Sequence, residues 1–365
     1  MYIGIMGTRG IPNQYGGFEQ CAQFLSEGLV RKGHRVAVYS SLNHPWQDTT
    51  FNGVEIIHCK DPESWMGTIG QFIYDRNCIT DARKRSFDVL LHLGYTSDSI
   101  WHRRWPTQTA HVMNMDGMEW KRDKYGRMTK RFLRFAESLA IKHADLLIAD
   151  SKAVASYIKD RYHKRSEYIP YGAERLHQQD DSHLNKYGIS PFTYSLLLAR
   201  MEPENNVETV IRGYISSSRK DPLLIVSNPN NRYGKKLQAT YRDQRVKFIG
   251  SIYNKDVIDN LRHFSDIYFH GHSAGGTNPS LLEAMACGCT IFAHENVFNQ
   301  AVLDDNAFFF SNPESVKQLL DTAPGEATRE EWRLANYQKV EREFRWDKII
   351  DGYEAAIFAA SKLCR

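Results

Sequence analysis

The stretch DIYFHGHSAGGTNPSLLEAMACGCTIFAH, residues 266–294, decides the fold. Its first apolar run predicts a strand, the Gly-rich segment predicts a loop, and its last apolar run predicts another strand. Between them, Pro279 suits the first turn of a helix because its missing N–H is not needed there, and Asn278 or Ser280 can cap the free amides nearby. The stretch therefore predicts a strand, a loop, a helix and a strand in succession.

The same alternation of short apolar runs and helical patterns occurs on both sides of a polar segment. The runs are YIGIMG, HRVAVYS, GVEIIHC, FDVLLHLG and HVMNM before it, and TYSLLLAR, PLLIVS, VKFIGS, DIYFHG and CTIFAH after it. Such alternation predicts mainly parallel sheets with helices on both faces. The polar segment, HQQDDSHLNKYGISP, is typical of a linker. We therefore expect two doubly wound α/β domains, 1–172 and 173–346, with a last helix at 347–365 that packs back on the first.

The composition bounds the class of protein. The length of 365 residues suggests two domains, and 42% hydrophobic with 25% charged residues is ordinary for a soluble globular protein. No apolar run approaches the roughly 20 residues that cross a bilayer, and the sequence begins as a strand rather than as a secretory signal. The six cysteines contain no C-x-x-C pair, which indicates reduced thiols. We expect a cytoplasmic protein.

The loop within 266–294 has the features of an anion site. Gly275 and Gly276 let a ligand approach the backbone, and the N-terminus of the following helix favours negative charge. Glu283 lies one turn further along that helix. The arrangement suits a phosphorylated ligand that carries hydroxyls, although Gly-rich turns also occur in ordinary strand-loop-helix joints.

A second Gly-rich loop, GIMGTRGIPNQYGGFE, occupies residues 4–19. Its G-x-x-G-x-x-G spacing is compatible with the dinucleotide-binding loop of a nicotinamide-dependent enzyme. That interpretation is opposed by three features: VAVYSS carries no acid to bind a ribose, the chain has no Tyr-x-x-x-Lys pair, and the loop is longer than a tight pyrophosphate turn. Gly16 and Gly17 instead suit a mobile backbone cradle for a phosphate or a sugar.

Arg200 stands just past a predicted strand, in LLLARMEPENN. A guanidinium at this place can pair with phosphate oxygens in two-pronged geometry. The alternative is a surface ion pair with Glu202 or Glu204.

These motifs carry a resemblance to a known family. ARMEPENN, followed about 75 residues later by GGTNPSLLEAMACG, resembles the donor-binding half of the retaining glycosyltransferases of family 4. That family has the GT-B fold, two facing Rossmann-like domains with a cleft between them. The motifs GTRGIPNQYGGFE, MDGMEWKR and HGHSAGGTNPSLLEAM are similar to a rhamnosyltransferase-type branch that acts on lipid-linked cell-surface glycans.

The resemblance implies a nucleotide-sugar donor. Arg200 would bind its diphosphate, the amides from Thr277 through Asn278 and Ser280 to Leu281 would bind its phosphates, and Glu283 would bind its ribose.

Two positions depart from the family pattern. Gly275 stands where the family usually has an acid that contacts donor-sugar hydroxyls, which weakens a glucose or mannose assignment. A 6-deoxy sugar such as rhamnose fits the branch that the chain resembles. Asn205 replaces a lysine, which leaves less positive charge on the diphosphate. The amides of Gly16 and Gly17, or the side chain of Arg9, are candidates to neutralise the leaving group.

Four residues are candidates for positioning or deprotonating an acceptor. Asp116 and Glu119, in NMDGMEWKRDKYGR, could orient or deprotonate an acceptor hydroxyl. The alternative is a turn-forming Asp-Gly with a solvated glutamate. Asp150 and Tyr171 are expected to position acceptor or donor, although Asp150 could also be a plain capping residue.

The expected chemistry is a same-face transfer. No pair of carboxylates in the predicted crevice stands out as nucleophile and acid, so we expect the departing diphosphate to accept the acceptor proton. The chain contains no D-x-D motif, so we expect neither a metal site nor any cofactor beside the donor.

Residues 101–135 are unusually basic, with nine Lys/Arg against three Asp/Glu. Aromatic residues interleave with these charges, and Met128, Phe132 and Phe135 are spaced along one side of a predicted helix. Such a surface suits an anionic membrane and a lipid diphosphate acceptor. A solvated helix packed on its own domain is the alternative. Nucleic-acid binding is not expected, because no base-stacking motif accompanies the charges.

The sequence thus predicts a retaining, metal-independent glycosyltransferase at the inner face of the cell membrane. It would move a 6-deoxyhexose, rhamnose from dTDP-rhamnose, to a lipid-linked saccharide in cell-surface polysaccharide synthesis. The alternatives are a UDP-hexose or UDP-N-acetylhexosamine donor on the same fold, or a non-catalytic nucleotide-sugar binder.

Overall fold

The computed structural model describes residues 1–14, 16–122, 124–274, 276–322 and 325–363. The described residues form two compact units. The first comprises those of Met1–Lys121, Tyr125–Gly172 and Trp346–Arg365, and the second comprises those of Arg122–Lys124 and Ala173–Arg345.

The first unit is built on an eight-stranded sheet. Its strands are β1 (Tyr2–Met6), β2 (Arg35–Ser41), β3 (Thr50–Phe51), β4 (Val54–Cys59), β5 (Val89–Leu93), β6 (Ala110–Asn114), β7 (Leu146–Ala149) and β8 (Glu167–Tyr168). They are ordered β3-β4-β2-β1-β5-β6-β7-β8 and are parallel except for the β3–β4 pair. The order reverses between β1 and β5, and ligands bind open α/β sheets beyond the strand ends at such a reversal.

The helices of the first unit before the linker are α1 (Gly17–Arg31), α2 (Glu63–Met66), α3 (Thr68–Ala82), α4 (Arg127–His143) and α5 (Lys152–Tyr162). Helix α1 begins directly after the Gly-rich loop, which therefore lies at the carboxyl end of β1. Ser151 caps α5 through its side chain, which accepts a hydrogen bond from the Val154 amide.

The second unit has a six-stranded, wholly parallel sheet. Its strands are β9 (Ser195–Leu198), β10 (Leu223–Val226), β11 (Val246–Gly250), β12 (Ile267–His270), β13 (Ile291–His294) and β14 (Phe308–Phe310). Their order is β11-β10-β9-β12-β13-β14, with the reversal between β9 and β12. Strand β10 is buried along its whole length, as expected for a strand with helices on both faces.

The helices of the second unit are α6 (Val207–Ser216), α7 (Arg232–Thr240), α8 (Lys255–His263), α9 (Pro279–Ala286), α10 (Val297–Leu303), α11 (Pro313–Thr322) and α12 (Glu326–Lys339). Part of the predicted linker is a 3-10 helix, Asp181–Tyr187, because Asp180 caps its first turn. The prediction of two Rossmann-like α/β domains is confirmed.

The last helix, α13 (Trp346–Leu363), packs on the first unit. The Trp346 ring stacks on Phe24 with 4.6 Å between ring centroids. The Asn114 amide donates a 2.7 Å hydrogen bond to the Tyr353 hydroxyl. Aromatic stacking and a buried polar contact thus fix this helix against α1 and β6.

The described cysteines, at positions 21, 59, 78, 287 and 289, are all free and buried, and Cys364 lies outside the described residues. Among the described helices, none is both long and apolar enough to span a bilayer.

Candidate functional site

The start of α9 forms the centre of the site in the second unit. Asn278 is the cap: its side-chain oxygen accepts a 2.9 Å hydrogen bond from the Ser280 amide, and Pro279 occupies the first helical turn. Thr277 and Leu281 are buried on either side of this turn, and Gly276 is half-buried. Gly275 lies outside the described residues. The amides at this helix start carry the positive end of the helix dipole.

The loops after β9 and β12 are tied together. The Ser273 amide donates to the Glu204 carbonyl at 2.9 Å. The Asn206 side chain donates to the Gly271 carbonyl at 2.8 Å. Because β9 and β12 are adjacent parallel strands, these contacts fix both loops at the edge of the sheet where the strand order reverses.

Arg200 lies at this edge and its side chain is exposed. Within the described part of the chain, Arg200 forms no ion pair, so the alternative of a pair with Glu202 or Glu204 is not observed. A guanidinium that keeps its donors can bind the oxygens of a phosphate in bidentate geometry.

Glu283 is held by a buried arginine that the sequence patterns did not single out. Arg262 of α8 is 1% exposed and donates to the Glu283 carboxylate at 2.5 Å and to Asp259 at 2.8 Å. It also donates to the Ser280 hydroxyl at 3.1 Å. Burial alone would lower the pKa of Arg262, but the Glu283 carboxylate and its neighbours hold it well above the usual range.

A signal for Arg262 was present in the sequence. It follows Ile258 by four residues and adjoins Leu261, so helical spacing places it on the apolar face of α8. A charged residue on a buried face requires a partner of opposite charge. Arg262 therefore fixes the orientation of the Glu283 carboxylate.

Asn205, where the family pattern has a lysine, is also a structural link. Its amide nitrogen donates to the Arg200 carbonyl at 2.8 Å, and its amide oxygen lies 2.9 Å from Nδ1 of His272. Burial, with the charge of Arg200 among its neighbours, lowers the pKa of His272 well below its usual range. His272 is therefore neutral at neutral pH.

In the first unit, Gly16 and Gly17 form the start of α1. The Gly16 carbonyl accepts from the Gln20 amide at 3.0 Å. The Arg9 side chain forms a bidentate pair with Glu63, at 2.9 and 2.6 Å. Arg9, predicted as a candidate to neutralise the leaving group, is thus engaged by a carboxylate of its own unit.

Three of the predicted acceptor-side residues lie together in the first unit. The Tyr171 hydroxyl donates to Asp116 at 3.4 Å. Burial, followed by the charges of Asp116 and Asp150, raises the pKa of Tyr171 well above its usual range, so its phenol stays protonated. Asp150 is buried and Ser151 is the cap of α5, so the alternative that Asp150 is the capping residue is wrong.

Glu119 opens a 3-10 turn, Glu119–Lys121, and is half-buried. Burial raises the pKa of Tyr95, and the charges of Glu119 and Asp116 raise it further. The two acids therefore act on one buried phenol. Among the described residues, no group of three or more His, Cys, Asp or Glu side chains is arranged to hold a metal ion.

Comparison with protein families gives two matches. Residues 101–174 match a domain of unknown function, DUF1972. Residues 181–324 match the family Glycosyl transferases group 1. Arg200, Asn205, His272 and Glu283 all fall within the second match.

A curated relative is an uncharacterized glycosyltransferase of Methanocaldococcus jannaschii, 24% identical over 239 residues. The alignment covers 59% of this chain, and the chain spans 59% of the length of that relative.

Solved structures with the same fold cover nearly the whole chain. Sucrose-phosphate synthase from Thermosynechococcus elongatus aligns with a TM-score of 0.81 at 15% identity, over 98% of this chain and 99% of that one. Anabaena HepE in complex with UDP-glucose aligns with a TM-score of 0.76 at 15% identity, over the same shares. The E. coli trehalose-6-phosphate protein bound with UDP-2-fluoro glucose aligns with a TM-score of 0.73 at 9% identity, over 99% of both chains. The predicted GT-B fold is confirmed.

Proposed function

We propose that this chain, whose second unit carries a group 1 glycosyltransferase domain on a GT-B fold, transfers a sugar from a nucleotide-sugar donor. The observation that carries the proposal is the cluster in the second unit: exposed Arg200, the capped start of α9 and the oriented Glu283 carboxylate. A guanidinium and helix amides bind a diphosphate. A carboxylate one turn further on accepts hydrogen bonds from ribose hydroxyls.

The specific reaction that we propose is transfer of a 6-deoxyhexose, rhamnose from dTDP-rhamnose, to a lipid-linked saccharide with retention of configuration. Arg200 and the α9 amides would stabilise the negative charge that develops on the departing diphosphate. The departing phosphate would accept the proton of the acceptor hydroxyl on the same face. No divalent metal is required, because the chain itself supplies the positive charge.

The acid–phenol cluster of the first unit is proposed to bind the acceptor. Tyr171 remains protonated, so it can donate a hydrogen bond, and Asp116 can accept one from a hydroxyl. Asp150 and Glu119 would complete an acceptor site in this unit, although neither is assigned a proton-transfer step.

A second candidate donor is a UDP-hexose. HepE and the E. coli trehalose-6-phosphate protein share the fold and were determined with UDP-glucose and UDP-2-fluoro glucose. A UDP-N-acetylhexosamine donor is a further alternative. So is a protein that binds a nucleotide sugar without catalysing its transfer.

A donor panel tests the proposal. The purified protein is incubated with dTDP-rhamnose, UDP-glucose or UDP-N-acetylglucosamine, a lipid-diphosphate N-acetylglucosamine acceptor, and either magnesium or EDTA. We expect a product heavier by one deoxyhexose, formed equally in EDTA and lost in Glu283→Gln. Glu343→Gln, which changes a partly exposed acid of the same unit, is the matched control and should retain activity.

The remaining outcomes of the panel decide between the candidate functions. Transfer of glucose or N-acetylglucosamine would show that the donor is a UDP-hexose or a UDP-N-acetylhexosamine rather than dTDP-rhamnose. Binding of a nucleotide sugar by calorimetry without product from any acceptor tested points to the non-catalytic binder. Absence of both binding and product overturns the proposal.

We further propose that the protein contacts an anionic membrane through residues 101–135. Helix α4 exposes Arg127 and Arg131, and it also exposes Met128 to 86% and Phe135 to 56%. Cationic side chains next to exposed apolar ones are typical of a helix that lies on an acidic lipid surface. A lipid-linked acceptor would be reached from such a surface.

Replacing Arg127 and Arg131 by glutamine is expected to weaken binding to phosphatidylglycerol vesicles by roughly 30-fold, because each arginine near an anionic surface contributes about 1 kcal/mol. Cosedimentation with vesicles of increasing phosphatidylglycerol content measures this. Lys235→Gln with Lys236→Gln removes the same charge from an exposed face of the second unit and should change little. Equal losses in both double variants, or no wild-type binding, contradict the membrane proposal.

A further inference from the structure

The hydrogen bonds of Asn205 determine which nitrogen of His272 carries a proton. The Arg200 carbonyl can only accept, so the Asn205 group 2.8 Å from it is the amide NH₂. The amide oxygen then faces Nδ1 of His272 at 2.9 Å, which requires a proton on Nδ1. In the neutral ring, Nε2 is left with a lone pair and acts as a hydrogen-bond acceptor.

The loop that carries the His272 ring is also fixed in position. The His272 carbonyl accepts from the side chains of Asn296 at 3.1 Å and Asn299 at 3.0 Å. These contacts fix the backbone of the loop between β12 and α9. Burial, with His270 and Arg200 nearby, lowers the pKa of the imidazole and keeps it neutral, and this outweighs a contact with the Ala274 backbone that acts in the opposite direction. The loop therefore places a rigid, uncharged acceptor beside the proposed diphosphate site.

A diphosphate is an unsuitable partner for Nε2. Ionised phosphate oxygens are acceptors and have no proton to donate, so a lone pair facing them is repulsive. The group that follows the diphosphate in a nucleotide sugar is the sugar, whose hydroxyls are donors. A neutral acceptor next to the diphosphate-binding arginine thus matches the chemistry of a sugar hydroxyl.

We propose that Nε2 of His272 accepts a hydrogen bond from a hydroxyl of the donor sugar and that Asn205 is the positioning residue that sets its tautomer. The inference rests on the proposed function, because it assumes that the second unit binds a nucleotide sugar. It assigns the contact with the sugar to an uncharged pair, Asn205 and His272.

Two substitutions of His272 separate its two nitrogens. Glutamine places an amide near the position of Nε2, whereas asparagine is shorter and reproduces only the Nδ1 contact with Asn205. We expect His272→Asn to weaken binding of the nucleotide sugar about three- to tenfold, the effect of one lost neutral hydrogen bond. His272→Gln should restore most of that affinity. Nucleoside diphosphate, which lacks the sugar, should bind equally well to both variants and the wild type.

The measurement is calorimetric titration with two pairs of probes, UDP-glucose with UDP and dTDP-rhamnose with dTDP. Within each pair, the ratio of the dissociation constants of the nucleotide sugar and the nucleoside diphosphate measures how much the sugar contributes to affinity. Asn205→Ala should change this ratio in the same direction as His272→Asn, because the ring loses its fixed tautomer. A general distortion of the loop would instead weaken both members of a pair.

The outcomes distinguish this inference from the proposed function. Equal weakening of nucleotide sugar and nucleoside diphosphate, or an unchanged ratio in His272→Asn with normal wild-type binding, overturns the inference and leaves the proposed function intact. Loss of affinity in His272→Gln equal to that in His272→Asn also overturns it. If the wild-type protein binds none of the four probes, the proposed function fails and the inference fails with it.

Discussion

Replacing Arg262 by methionine is expected to lower the free energy of unfolding by about 3–5 kcal/mol, because it removes the buried cation that the Asp259 and Glu283 carboxylates share. The side chain of Asp259 is 3% exposed and that of Glu283 is 17% exposed, and both pair with Arg262. Methionine fills a similar volume, so the loss of stability measures the removal of the positive charge rather than the creation of a cavity. Urea unfolding of the full chain, followed by fluorescence, provides the measurement.

Two further variants make the Arg262 result interpretable. Arg342→Met breaks an exposed pair with Glu343 and should change the free energy of unfolding by less than about 1 kcal/mol. Adding Glu283→Gln to Arg262→Met should recover part of the lost stability, because it removes the charge of one carboxylate that has lost Arg262. If Arg262→Met destabilises no more than Arg342→Met, the buried network does not support this unit.

The parts of this protein that were predicted from its sequence are those set by neighbouring residues. Strand β10 reads as an unbroken apolar run because both of its faces are covered, and the run alone indicates a buried strand. Asn278 and Pro279 define a helix start through contacts within a few residues, and the structure has the cap at Asn278. Local patterns of this kind were enough to predict two doubly wound α/β domains.

The parts that were missed depend on partners distant in sequence. Arg262 meets Glu283 across 21 positions, and Asn205 meets His272 across 67. The sequence around one residue of such a pair does not indicate which distant residue is its partner. The pair of Arg9 with Glu63 was missed for the same reason, since the two residues are 54 positions apart. Sequence reasoning found the residues at the ends of strands but not the side chains that orient them.

Arg200 is the residue of the proposed donor site whose substitution we expect to reduce sugar transfer most. Arg200→Ala is expected to reduce kcat/KM for sugar transfer by about 10²–10³-fold, the range observed when one preorganised donor to a developing negative charge is removed. The negative charge of the leaving diphosphate increases in the transition state, so the loss should fall on kcat as well as on donor affinity. Stability should be unchanged, since Arg200 is exposed and has no ion pair among the described residues.

Steady-state kinetics with the donor identified by the panel provides the test. Arg200→Lys keeps the charge but loses the two-pronged geometry, so it should lie between the wild type and Arg200→Ala. Arg232→Ala removes another exposed charge, at the start of α7, and should retain activity. A loss below tenfold in Arg200→Ala, or a similar loss in Arg232→Ala, would show that the leaving group is stabilised elsewhere. In that case the amides at the start of α9 would have to supply the positive charge, and substitution of the cap Asn278 by alanine should then produce the larger effect.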